Sequence, residues 1–289
     1  MLDDVVEGIS PWPGDQASGL RRLFGVSLPQ VVAFASGREA CGRTTVLVQT
    51  AAALAAAGHG VLIIDENAAP NNAISAFGLS ARHDLLNVLN GERSLRQVTL
   101  QAAPLLRILP AARAARELDH ASRLAAAARL RLAACLQDMQ GDVGFILIDT
   151  ALRRGGHLSP LALAARHMTV VVTAQSTAIT NAYALIKRIA QERGRNDFQV
   201  AITRAKSREE ARAIFDNMRR VAREHLTVRL DYLGSALVPA IDNLADALLQ
   251  RLPPVGENGL DSAFALPALG LAPRPGITQM GTLAVESAY

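Results

Sequence analysis

The chain has 289 residues, half of them apolar, and carries 30 lysines plus arginines against 26 acids for a formal charge of +4. That length buries one large core, no apolar run is long enough to span a membrane, and Cys41 and Cys135 are too few for a disulfide framework. The start Leu2-Asp3-Asp4 lacks the basic-then-apolar pattern of a secretory leader, so a reducing, cytoplasmic setting is expected.

In chain order, residues 1–28 read as an N-terminal extension. Within it Asp15 is placed to cap a short helix whose apolar edge is Leu20, Leu23 and Phe24. An apolar strand from Val31 to Ala35 then runs into Gly37. Four residues separate Gly37 from Gly42, and Thr44-Thr45 open a helix. This is the outline of a phosphate-binding loop, in which backbone N–H groups and a helix N-terminus surround the phosphates. A lysine neutralises their outer oxygens, and a hydroxyl holds Mg²⁺. Here the lysine position is Arg43 and the hydroxyl is Thr44. Residues 46–57 continue as an alanine-rich helix stopped by Gly58 and Gly60, and Val61 to Asp65 reads as the next buried strand.

Further elements alternate. Leu105 to Leu109 reads as a strand, Leu118 to Met139 as a helix and Val143 to Asp149 as a strand. Met168 to Ala174 is strand-like and is followed by a helix to Arg193. Phe198 to Thr203 precedes a helix to His225, and Val228 to Leu233 precedes a last helix to Arg251. Such alternation predicts a mainly parallel sheet with helices on both faces. Residues 29–252 form this domain, and 253–289, opening on Pro253-Pro254, read as an irregular tail. Asp149, like Asp65, sits at a strand end, where a parallel sheet delivers carboxylates to its ligand edge. The arginines at 208, 212, 219 and 223 share one predicted helix face. They suit either nucleic-acid phosphates or a solvated surface, and Glu209, Glu210 and Glu224 dilute the stripe.

The order of loop, Asp65 strand, Asp149 strand and the stretch Thr173-Ala174-Gln175-Ser176-Thr177-Ala178-Ile179-Thr180-Asn181-Ala182-Tyr183-Ala184-Leu185-Ile186-Lys187 resembles the MinD/ParA ATPases. Within them it is similar to the flagellar-number regulators known as FlhG or FleN, which write that stretch T-P-E-P-T-A-I-T-D-A-Y-A-L-I-K. Val88 to Leu95 resembles their V-L-x-G-E-x-S-L, and Asp15-Gln16-Ala17-Ser18-Gly19-Leu20-Arg21 their D-Q-A-x-x-L-R. The resemblance implies a three-layer α/β P-loop NTPase fold with a deviant Walker A loop. It implies ATP on Gly37, Arg38, Gly42, Arg43, Thr44, Thr45, Asp65 and Asp149, with Mg²⁺ at Thr44 and Asp65. It further implies a nucleotide-dependent homodimer, regulation of flagellum number or placement, and recruitment to the cell pole by a partner. Its partners would be a flagellar transcription activator and an FlhF-like GTPase of the signal-recognition-particle type. That GTPase would be engaged through Asp15, Gln16, Leu20 and Arg21, with Gln16 helping to order its catalytic site.

The departures from the family pattern are specific. Relatives write the loop S-G-K-G-G-V-G-K-T, whereas this chain has Arg38, Glu39 and Ala40 after Gly37, and Arg43 before Thr44. A chain with 28 arginines and two lysines, Lys187 and Lys206, has a general preference for arginine. Even so, a planar guanidinium does not replace a compact ammonium inside a tight loop. Glu39 adds negative charge near the phosphates, and the lost glycines restrict the backbone. The family's D-x-D is Asp65-Glu66-Asn67, and Asn67 cannot take a proton from the attacking water. Thr203 stands near where many relatives place an asparagine that contacts the base. These changes lead to the expectation that ATP binding survives while hydrolysis is weak or lost. The alternative is an active ParA-type switch in partitioning or cellulose-synthesis-related positioning, with non-specific DNA binding. The tail holds five prolines, one arginine and no lysine, which does not suit a membrane-binding amphipathic helix.

Overall fold

The computed structural model describes residues 28–118, 126–139, 143–151, 156–236 and 244–252. Strand β1, Gln30–Ala35, is the apolar run ahead of the loop, and all six of its residues are buried, as expected for a parallel strand covered on both faces. Helix α1, Arg43–Ala56, follows directly, and β2, Val61–Asp65, returns to the sheet. Next come the short helices α2 (Ala73–Ala76), α3 (Leu85–Leu89) and α4 (Leu95–Val98), then strands β3 (Leu100–Ala103) and β4 (Leu106–Pro110). Helices α5 (Ala112–Leu118) and α6 (Ala126–Met139) precede β5, Phe145–Asp149. Helix α7 (Pro160–Leu163), β6 (His167–Thr173), α8 (Ser176–Arg193), β7 (Asp197–Thr203), α9 (Arg208–Leu226), β8 (Arg229–Ala236) and α10 (Leu244–Arg251) complete the chain.

The eight strands form one sheet in the order β3-β4-β2-β5-β1-β6-β7-β8, parallel throughout except for β3, which runs antiparallel to β4. Alternation within each buried strand feeds two cores. Val31, Ala33 and Ala35 face the layer of α3, α5, α6, α8 and α9, while Val32 and Phe34 face α1, α2 and α10. This is the three-layer α/β architecture that the strand and helix alternation predicts.

Several elements differ from the sequence expectation. The helix expected over 118–139 is described as α6 over 126–139, with 119–125 outside the described residues, and α5, ending at Leu118, lies almost wholly ahead of that expectation. The strand expected at 105 begins at Leu106, because Leu105 takes a positive φ of 61° in the turn from β3. Strand β3 and helices α2, α3, α4 and α7 were not expected at all. At the far edge β8 skips a residue against β7, where Val200 pairs Tyr232 and Ala201 pairs Gly234. Arg229 and Asp231 form an ion pair of 3.2 Å on the same strand. Among the described residues no helix is long and apolar enough to cross a membrane.

Candidate functional site

The loop between β1 and α1 lies at the carboxyl edge of the sheet, where the register places Asp65 directly opposite Asp149. Gly42 enters α1 with φ of 80°, a left-handed conformation that glycine adopts without strain, and Ala40 holds φ of 57° at a position where relatives have glycine. Gly37 is required for a different reason. A Cβ there would lie 2.4 Å from the backbone carbonyl of Asn181, so the loop rests on the main chain of α8. The Thr173 to Lys187 stretch singled out in the sequence is thus the floor beneath the loop.

Arg43 does not project outward. Its Nε donates to Asp149 Oδ1 at 2.6 Å and an Nη donates to Ser36 Oγ at 3.4 Å, with the side chain 10% exposed and Asp149 wholly buried. Thr44 Oγ1 donates to the other carboxylate oxygen of Asp149 at 2.7 Å and accepts from the Asn67 side-chain amide at 3.2 Å. Asp65 accepts backbone N–H groups on both oxygens, from Asn67 at 3.0 Å and Ile74 at 3.1 Å. Burial, followed by the neighbouring Asp149, pushes its carboxyl up to about 7. A cleft of about 180 Å³ opens beside Asp65 between Asn67, Asn72, Arg82, His83 and Arg113.

The expected residues separate into two groups. Arg43, Thr44, Asp65 and Asp149 come together with Asn67. Arg38 turns the other way and donates to Thr177 Oγ1 on α8 at 3.3 Å, and Thr45 is exposed on α1. Asn67 is a strut: its amide oxygen accepts from Ala69 N–H and its amide nitrogen holds Thr44. Asn72, which matches the family asparagine, donates to the Asn67 carbonyl and caps α2. The Thr203 hydroxyl donates to the Cys41 carbonyl at 2.8 Å and fastens the loop to β7. Ser36, Cys41 and Thr177 were not expected to take part. Ser36 donates to the Arg38 carbonyl at 2.8 Å and Cys41 Sγ to the same oxygen at 3.0 Å, so small polar side chains within the loop itself tie its turn. Both oxygens of Asp65 accept backbone N–H groups, Asp149 is paired with Arg43, and one Thr44 lone pair is taken by Asn67, so a Mg²⁺ at Thr44 and Asp65 would have to compete with these contacts within the chain.

On α9 the arginine stripe carries its own counter-ions. Asp216 holds Arg212 at 3.4 Å and Arg219 at 3.1 Å, and Arg212 stacks over Phe215 and Tyr232. That arrangement fits the solvated face. Asp15, Gln16, Leu20, Arg21 and the tail from 253 lie outside the described residues.

A parallel sheet with a glycine loop between its first strand and helix, and paired acids on the adjacent strand ends, defines a P-loop domain of the MinD/ParA type. The family model described as "AAA domain" matches residues 29–202. The chain is 32% identical over 222 residues to the antiactivator FleN of Pseudomonas aeruginosa, covering 77% of this chain and 78% of that one. It is 24% identical to the flagellum site-determining protein YlxH of Helicobacter pylori, covering 82% and 80%. Its fold matches the septum site-determining protein MinD of Pyrococcus horikoshii OT3, solved with Mg-ADP, at a TM-score of 0.52 and 18% identity, over 76% of this chain and 86% of that one. The chain belongs to the FleN/FlhG subfamily of the MinD/ParA-type P-loop proteins.

Proposed function

We propose that this chain is a nucleotide-binding regulator of flagellum number or placement and of flagellar biosynthesis, in which ATP binding persists and hydrolysis is weak or lost. Membership beside FleN and YlxH supports the flagellar role. The observation that carries the loss of turnover is the Arg43–Asp149 ion pair, which commits one edge of the loop's cation to the acid at the end of β5. The asparagine at 67 supports the same reading, since it braces Thr44 and has no basic oxygen to activate a water. Regulation then runs through the N-terminal extension. Gln16 and its neighbours engage an FlhF-like GTPase and stimulate it, with a flagellar transcription activator as a second partner.

Calorimetric titration with ATP tests the binding, and saturable heat in the micromolar range is the expected result. Turnover in the same preparation is expected to stay at background with the GTPase present, and steady ATP hydrolysis abolished by Thr44→Ala would overturn the non-hydrolytic reading. The partner role is tested separately: Gln16→Ala is expected to remove stimulation of the GTPase, and unchanged stimulation counts against it.

A further inference from the structure

We infer that Arg43 is the resident cation of Asp149, so that this chain takes its nucleotide without a divalent metal. The inference rests on the nucleotide-binding reading above and concerns how the same site balances charge. In a P-loop the metal lies between phosphate oxygens and the acid at the strand end. Here the guanidinium already holds that acid, with Nε 2.6 Å from Asp149 Oδ1. Asp149 is wholly buried, one of its oxygens is held by Arg43 at 2.6 Å and the other by Thr44 at 2.7 Å. A divalent ion held through Asp149 must therefore share that carboxylate with a buried guanidinium against the repulsion of like charges, and Mg²⁺ itself gives up water reluctantly.

The fork of arginine makes the substitution chemically sufficient. A guanidinium has five N–H donors, of which Nε serves Asp149 and one Nη serves Ser36. The rest remain for phosphate oxygens, which arginine takes along a second edge without releasing the first. A lysine cannot do both in this way, because its compact ammonium has no second edge. Thr44 completes the arrangement: its proton goes to Asp149, and one of its lone pairs takes the Asn67 amide. One lone pair of the hydroxyl that ligates metal in a P-loop is thus already taken by a protein amide.

The test is calorimetric titration of the full chain with ATP, once with excess Mg²⁺ and once with the metal removed by a chelator. The expected result is a Kd that agrees within about twofold between the two conditions, and an Arg43→Lys variant whose binding tightens by about tenfold or more when Mg²⁺ is supplied. A wild-type Kd that tightens about tenfold with Mg²⁺ overturns the inference while leaving nucleotide binding intact. A metal-independent Arg43→Lys variant also overturns it, since the effect would not belong to the guanidinium. Absence of heat under both wild-type conditions removes the nucleotide reading and this inference together, and so is distinguishable from metal-dependent binding. The wild-type pair of titrations decides the matter even if the variant fails to fold.

Discussion

At the level of single residues the site is governed by what each charged group does when water is withdrawn. Arg43→Ala leaves the Asp149 carboxylate buried with Thr44 as its hydrogen-bond partner and Asp65 opposite, and removing one partner of a buried ion pair costs about 3–5 kcal/mol. A loss of that size is expected in denaturant unfolding, with Arg43→Lys losing less because the charge is kept. The replacement of lysine by arginine is visible in the sequence; the direction of its side chain is not. That direction depends on Asp149, 106 residues away in the chain and brought alongside only by the β1–β5 pairing. His167 supplies a second test. It contacts Gln30 at 3.1 Å, and burial, aided by Arg166 and Arg195 and opposed by Asp197, lowers its pKa from 6.5 to about 4. The unfolded chain therefore binds the proton first. Stability from the neutral ring is present above pH 6.5 and declines as the pH falls toward 4, where the loss levels off. His167→Gln is expected to flatten the stability profile across that window, measured by thermal melts at several pH values.

At the level of elements, the long apolar strands and the longer helices were legible because burial on both faces writes an unbroken apolar run. The short helices were not, since five residues at α3 and four at α4 are too few to display a helical period. Both carry capping boxes, Asp84 with Asn87 and Ser94 with Gln97, and the second matches the S-x-x-Q pattern that marks a helix start even when no period follows. Strand β3 was missed because its Leu-Gln-Ala-Ala is only partly buried and has neither a clean alternation nor a solid apolar run. The packing of the loop on α8 was half legible: the motif was recognisable, its contact was not. Gly37→Ala tests that contact. With a Cβ placed 2.4 Å from the Asn181 carbonyl, the loop must lift from the helix. The variant is expected to melt at a lower temperature and to lose the heat of ATP binding while retaining its helical circular dichroism.

Over the whole molecule, stability and ligand geometry share the central strand. Phe34 is fully buried between β1 and the α1 layer, one residue from the loop-opening end of the strand and paired in register with Asp149. Truncating it to alanine is expected to cost about 3–5 kcal/mol by denaturant titration, the usual range for a buried phenylalanine. The mainly parallel sense of the sheet followed from the alternation of strands and helices, whereas the strand order did not, and the reversed edge at β3 depends on a turn at Leu105 that no glycine announces. The opposite edge has its own consequence. Strand β8 ends the sheet with a skipped residue at Leu233 and the Arg229–Asp231 charges on its first turn of pleat. A foreign strand aligning there would lose ladder hydrogen bonds at the irregular step and would have to desolvate both charges. The molecule therefore carries its own guard against fibrous growth from that side, and high concentrations of the folded protein are expected to leave an amyloid-sensitive dye dark.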